Sequence, residues 1–138
     1  MAQSKIKTYR DLQVWQKSMT LVTETYKISK GFPKDEVYGL TSQMRRCAIS
    51  IPSNIAEGYG RNSTNEYIRF LRIATGSLYE LQTQIEISMN LYYLKKDEFD
   101  KLSELSREIE RMLSSLETFE KSSILLKFKE GDQILNQV

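Results

Sequence analysis

The 138-residue sequence contains no histidine and only one cysteine, one tryptophan and two prolines. Without histidine there is no imidazole base for a serine or cysteine triad, no His-ligated haem and no Glu-x-x-His di-iron motif. The lone Cys47 cannot form an internal disulfide, and one thiol without histidine cannot build a zinc site of the usual Cys and His kind. No cofactor and no metal site are therefore expected. Long apolar runs are missing too: nothing approaches the roughly 20 consecutive apolar residues of a membrane-spanning helix. Met1 to Lys7 is too short and too polar for a secretory signal, so the expected location is the cytoplasm. What is present, 40% hydrophobic and 28% charged residues in 16.1 kDa, fits one domain with a real core.

The net charge of +2 hides an asymmetry. Residues 1–75 carry twelve Lys or Arg against six Asp or Glu, and residues 76–138 carry eight against twelve, so the halves are +6 and −4. A basic half can face nucleic acid, but antiparallel helices of opposite charge that pair with each other give the same sums.

Apolar spacing is helical almost throughout. Leu12, Trp15, Met19, Val22 and Tyr26 predict the core stripe of a first helix over about Asp11 to Ser29, ended by Gly31 and Pro33. Val37, Leu40, Met44, Cys47, Ala48, Ile51 and Ile55 predict a second over about Glu36 to Ala56, which Pro52 should bend. After the turn at Gly58 to Asn62, Ser63 or Thr64 can cap a third helix, with Glu66 completing a capping box. Tyr67, Leu71, Ala74, Leu78, Leu81, Ile85 and Tyr92 form its stripe. Tyr93 to Lys96 is the expected loop and Asp97 the expected N-cap of a fourth helix, whose stripe is Leu102, Leu105, Ile109, Met112, Leu116 and Phe119, ending near Ser123. The expected fold is all-α, an up-down-up-down antiparallel four-helix bundle over residues 9–123. Residues 1–8 form an N-terminal extension, and 124–138 a tail holding Leu125, Leu126, Phe128, Ile134 and Leu135, interrupted by Gly131.

Several segments carry a family resemblance. Leu12-Gln13-Val14-Trp15, Gln43-Met44-Arg45-Arg46-Cys47-Ala48 and the long run Ser50-Ile51-Pro52-Ser53-Asn54-Ile55-Ala56-Glu57-Gly58 resemble the bacterial four-helix bundle proteins encoded by intervening sequences of large-subunit ribosomal RNA genes. The likeness continues through Glu66-Tyr67, Phe70-Leu71, Ile73-Ala74, Gly76-Ser77-Leu78 and Glu80-Leu81, over roughly residues 9 to 120. The resemblance implies a homopentameric ring of bundles. It also implies an adaptor whose partner is RNA, DNA or a nucleic-acid-handling protein, since the accessory subunit of diversity-generating retroelements is distantly similar and binds a reverse transcriptase and nucleic acid.

The residues divide into three candidate groups. Arg45, Arg61, Arg69 and Arg72 are the phosphate candidates, because a guanidinium fork donates two bonds at once; Arg61 in its turn could also stack, and Arg10 and Lys17 are outliers. On the outer side of the third helix, Ile68, Ile73, Gly76, Tyr79 and Ile87 suit a subunit interface, where aromatic and apolar residues mix with Arg and a helical glycine permits close approach. Arg46, Asn54 and Glu57 read as structural polar tethers, with Arg46 in reach of Ser50. An enzyme would have to use Glu57, Glu66, Glu80 and Glu86 with Tyr79 or Cys47, and none of these glutamates falls on a core stripe. The expected function is thus a non-enzymatic, homo-oligomeric adaptor with no membrane partner, with a purely protein-binding scaffold as the alternative.

Overall fold

Short polar side chains set where helices begin. The Thr8 hydroxyl accepts the Arg10 amide while the Asp11 carboxylate accepts the Thr8 and Lys7 amides, closing a capping box around a 3-10 turn at Tyr9–Asp11. Those amide bonds hold the Asp11 carboxyl below the usual carboxylate range. α1 follows at Gln13–Ser29, then a 3-10 turn at Lys34–Glu36, α2 at Leu40–Tyr59, α3 at Thr64–Asn90 and α4 at Lys96–Asn136. The structure is a computed structural model that describes the backbone of residues 5–136 and the side chains of residues 5–131. Among the described residues all regular structure is helical, and no helix is long and apolar enough to cross a membrane.

Ser63 caps α3 as expected, accepting the Glu66 amide at 3.2 Å, but the Glu66 carboxylate does not turn back to complete the box; Arg69 takes it instead. The fourth helix starts one residue before the proposed Asp97 cap, and Glu98 accepts the Lys95 amide at 2.9 Å. α2 runs through Pro52 without a break, although the ring removes the amide that would reach Ala48.

Neighbours in the chain are neighbours in space: α1 packs on α2, α2 on α3, α3 on α4, and α4 closes back on α1. Polar pairs mark the seams. Ser50 and Ser77 hydroxyls meet at 2.8 Å between α2 and α3, Gln82 donates to Glu110 at 2.9 Å between α3 and α4, and Lys17–Glu108 and Lys101–Glu24 bridge α1 and α4 at 3.4 and 3.0 Å. The bridging lysines are half exposed, so these pairs contribute little beside the apolar core. That core joins Val14 and Leu21, Met44, Ile51 and Ile55, Leu71, Leu78, Leu81 and Ile85, and Leu102, Ile109 and Leu113, one set from each helix.

Three expectations about the core need correction. First, α1 is rotated: its buried residues are Val14, Ser18, Leu21, Thr25 and Ser29, whereas Trp15, Val22 and Tyr26 are half-buried and Met19 is 43% exposed. The rotation is possible because each buried hydroxyl bonds a carbonyl of its own helix, Ser18 to Val14 and Thr25 to Leu21 at 2.7 Å and Ser29 to Tyr26 at 3.3 Å. Second, Tyr92 and Val37 leave their stripes: Tyr92 lies past the end of α3 in left-handed backbone at φ 63° and is 93% exposed, and Val37 precedes α2. Third, α4 does not end near Ser123 but continues through Gly131, where one glycine costs only about 1 kcal/mol in a helix. Phe119, expected as the last core residue of the α4 stripe, is instead 68% exposed, Leu125, Leu126 and Phe128 on the extension are each more than 60% exposed, and the side chains of Ile134 and Leu135 lie outside the described residues.

Candidate functional site

The arginine patch is built at the α2–α3 turn. Gly58 brings the end of α2 so close to α3 that an added Cβ would lie 2.6 Å from Phe70 Cβ. This close approach seats Phe70 between two guanidinium groups, Arg61 at 4.9 Å and Arg69 at 4.7 Å from its ring centre. Each arginine also binds a carboxylate on its own helix turn, Arg61 to Glu57 at 2.8 Å and Arg69 to Glu66 at 2.7 Å, and the Arg69 bond holds the Glu66 carboxyl below its ordinary value. One turn on, Arg72 reaches across to Glu117 of α4 at 2.6 Å, and Lys121 adds a second cation at 3.4 Å. Burial pushes the Glu117 carboxyl up, but the bonds from Arg72 and Lys121 outweigh it and leave it low. Arg69, Arg72 and Lys121 line one cleft of about 530 Å³, floored by Ile68.

The tether expected of Arg46 is made by Arg45 instead. Arg45 does not belong to the patch: it donates to the Ser29 hydroxyl at 2.9 Å and the Tyr26 carbonyl at 3.4 Å, with its guanidinium 4.5 Å from the Tyr26 ring centre, and so ties α2 to the end of α1. Arg46 is exposed and makes no hydrogen bond or ion pair among the described residues, so within the chain it tethers nothing. Ser50, its expected partner, is occupied by Ser77 and by Asn54, whose amide donates to the Ser50 carbonyl and hydroxyl at 2.8 and 2.9 Å. Asn54 is thus a local tether, and Glu57 serves Arg61.

Of the interface candidates, Ile73, Tyr79 and Ile87 are 40%, 51% and 42% exposed, and nothing lies within 4 Å of a Cβ added at Gly76. Ile68 departs from this group. It is only 6% exposed, turned under the patch toward Ile124 and Leu125 of α4. The spacing that suggested an outer position for Ile68 could not show that the α4 extension would cover it.

Two features escaped the sequence reading. The rotation of α1 leaves an apolar groove of about 360 Å³ between α1 and α2, lined by Tyr9, Trp15, Met19, Val22, Ile49 and Pro52 among others, with Arg10 over the Tyr9 and Trp15 rings at 5.3 and 5.8 Å. In addition, the Tyr67 hydroxyl is buried without a partner among the described residues, and burial, with Glu120 nearby, pushes its ionisation far up. Glu120 is itself raised by burial, against Lys127.

The carboxylates an enzyme would need are scattered: Glu57 and Glu66 hold arginines, Glu86 lines an α3–α4 cleft, and Glu80 accepts the Cys47 thiol at 3.3 Å. Burial first, and the Glu80 bond second, push the Cys47 thiol up. Because the thiolate is the reactive form, iodoacetamide at mildly alkaline pH should label Cys47 much more slowly in the folded protein than in denaturant, which timed mass spectrometry will check. Equal rates would place Cys47 outside the α2–α3 seam.

These features define an all-α protein of four helices with an arginine patch at one turn and apolar surface on two outer faces. The chain belongs to the 23S rRNA-intervening sequence protein family, whose match spans residues 10–115. Its fold is similar to a crystal structure from Bacteroides thetaiotaomicron of a protein with unknown function from the S23 ribosomal protein family. The TM-score is 0.68 at 24% identity, over 75% of this chain and 96% of the other. No curated protein matches the sequence.

Proposed function

We propose that this chain is a non-enzymatic, homo-oligomeric binding module, an adaptor that works through its surfaces on nucleic acid or on a protein that handles it. The observation that carries this reading is the apolar surface left outside the core: Met19, Ile49, Ile73, Tyr79 and Ile87 are each between 40% and 51% exposed. Aliphatic and aromatic side chains beside arginines have the composition of interface centres. Lys17 pairs with Glu108 and Glu24 with Lys101, so α1 and α4 run in opposite senses, as an up-down-up-down course requires of its first and last helices. The sequence resemblance supports five copies in the ring. The dispersal of Glu57, Glu66, Glu80 and Glu86 over separate partners favours binding over catalysis.

Nucleic acid as the direct partner draws on the Arg61, Arg69 and Arg72 patch with Lys121. Its ion pairs are largely exposed, so they hold the arginines weakly and a phosphate can take a carboxylate's place. A ring would repeat the patch and multiply a weak contact. In filter-binding titrations against single-stranded RNA, log K should fall with log salt by about 0.7 per phosphate contact. The Arg61→Gln/Arg72→Gln variant should lower both affinity and slope while keeping its fold and mass, since exposed positions shift stability by less than about 0.5 kcal/mol. Wild-type protein with no salt-sensitive binding to RNA or DNA would leave the protein-binding scaffold as the function. Dissociation of the variant would make these arginines structural.

A further inference from the structure

We infer that the cleft between the start of α3 and the extension of α4 seats an unpaired base of a single-stranded nucleic acid, with a neighbouring phosphate held between Arg72 and Lys121. This rests on the nucleic-acid reading of the arginine patch and names the form of nucleic acid that the patch takes.

The charges decide where a phosphate can sit. Arg61 has Glu57 and Arg69 has Glu66, one carboxylate for each cation. At Glu117 the ratio changes: Arg72 and Lys121 share that single carboxylate, at 2.6 and 3.4 Å, which leaves one positive charge unmatched. Glu117 is the inner partner, 25% exposed against 61% and 50% for the two cations, so an incoming anion meets the cations first. Arg72 uses only its Nε on Glu117, and its terminal amino groups have no partner among the described residues. A phosphate bridging Arg72 and Lys121 restores neutrality without displacing Glu117.

A phosphate alone would leave the apolar part of the cleft unused. Ile68 and Ile124 line it, and Leu125, 61% exposed, forms its α4 wall; that wall exists only because α4 continues past Ser123. The volume of about 530 Å³ lies within the roughly 300 to 1,000 Å³ of small-molecule sites. Arg69 supplies a platform beside these aliphatic side chains. Its guanidinium lies over the Phe70 ring at 4.7 Å, yet the side chain is 59% exposed and lines the cleft, so the ring covers one side of it and leaves the other for a ligand. Unpaired bases stack on guanidinium planes as they do on aromatic rings. The Asn65 amide lines the same cleft without a hydrogen-bond partner among the described residues, and offers a base edge both a donor and an acceptor. A duplex keeps its base faces stacked on one another and brings this cleft only phosphates. A flexible strand can turn one base inward while its backbone follows the cations.

Fluorescence anisotropy on the full chain tests the seat with a short single-stranded oligouridine, its duplex with oligoadenosine, and inorganic polyphosphate of matched charge as competitor. The single strand should bind about 5- to 150-fold more tightly than either of the others, the effect of one stacked base. Leu125→Ser should lower single-strand affinity several-fold at every salt concentration, with the slope of log K against log salt unchanged because no phosphate contact is lost. Arg72→Gln should lower affinity and slope together. Cross-linking of wild-type protein to 4-thiouridine RNA reads the same seat without a variant, and should attach the base to the tryptic peptides 62–69 or 122–127. Equal affinity for duplex and single strand, a silent Leu125→Ser beside an impaired Arg72→Gln, or cross-links confined to other peptides overturns the base seat and leaves the patch as a phosphate site, with the nucleic-acid reading intact. Absence of salt-sensitive binding to every probe overturns both.

Discussion

Replacing Leu81 with Ala is expected to lower the stability of the bundle by about 2 to 5 kcal/mol, the range for truncating a fully buried leucine. Leu81 is 0% exposed and sits near the middle of α3, in a cluster to which all four helices contribute. The loss combines the transfer of the missing carbons with a cavity that the surroundings only partly fill. Leu78, Met44, Leu102 and Ile109 are fully buried themselves, and collapse at one helix would have to carry the others with it. Against a total stability of about 5 to 15 kcal/mol, the change should move the thermal midpoint down by roughly 10 °C. Calorimetry checks it. A midpoint within 2 °C or so of the wild type would mean that the α3 stripe faces something other than the common core.

The α3 stripe was legible because its expected members Tyr67, Leu71, Ala74, Leu78, Leu81 and Ile85 are all buried, while Ile73 and Tyr79 lie off the stripe and are exposed. α1 was not legible in the same way. Its apolar stripe and its buried stripe are different faces, and spacing alone chooses the more apolar one. The hydroxyls that replace it in the core satisfy themselves on their own helix, so they carry no signature in the sequence of partners elsewhere.

The arginines divide along a similar line. That Arg61, Arg69 and Arg72 share one end of the molecule follows from the turn and from three-residue spacing, so that grouping was readable. Which of Arg45 and Arg46 is anchored depends on how α1 ends beside α2, through the Tyr26 carbonyl and the Ser29 hydroxyl. That is a contact across sixteen residues or more, which local periodicity does not encode. The run containing Gly58 marked the family, while the reason for a glycine there emerged only from the packing of α2 on α3.

That packing gives the second large effect. Gly58→Ala places a methyl carbon 2.6 Å from Phe70 Cβ and 3.1 Å from a Tyr67 ring carbon, well inside the roughly 3.5 to 4.0 Å at which carbons attract. Phe70 Cβ is fixed to the α3 backbone and cannot swing away as the end of a long side chain could. The α2–α3 hairpin must therefore open, at the roughly 1 to 3 kcal/mol typical of an overpacked site. Alanine in a helix ordinarily gains about 0.5 to 1 kcal/mol over glycine, which offsets part of that cost. The net expectation is a destabilisation of about 1 to 2 kcal/mol, with Phe70 displaced and the Arg61 and Arg69 stack loosened. Gly60 supplies the matched comparison. Its added Cβ would meet only the Glu57 and Ala56 carbonyl oxygens at 3.6 and 3.8 Å, and its φ of −77° suits any residue, so Gly60→Ala should be neutral or slightly stabilising. Urea titrations should therefore lower the midpoint of Gly58→Ala and leave that of Gly60→Ala unchanged or slightly raised. Two equal shifts would mean that Gly58 serves chain flexibility at the turn, and that the close seat of Phe70 is not what its missing side chain provides.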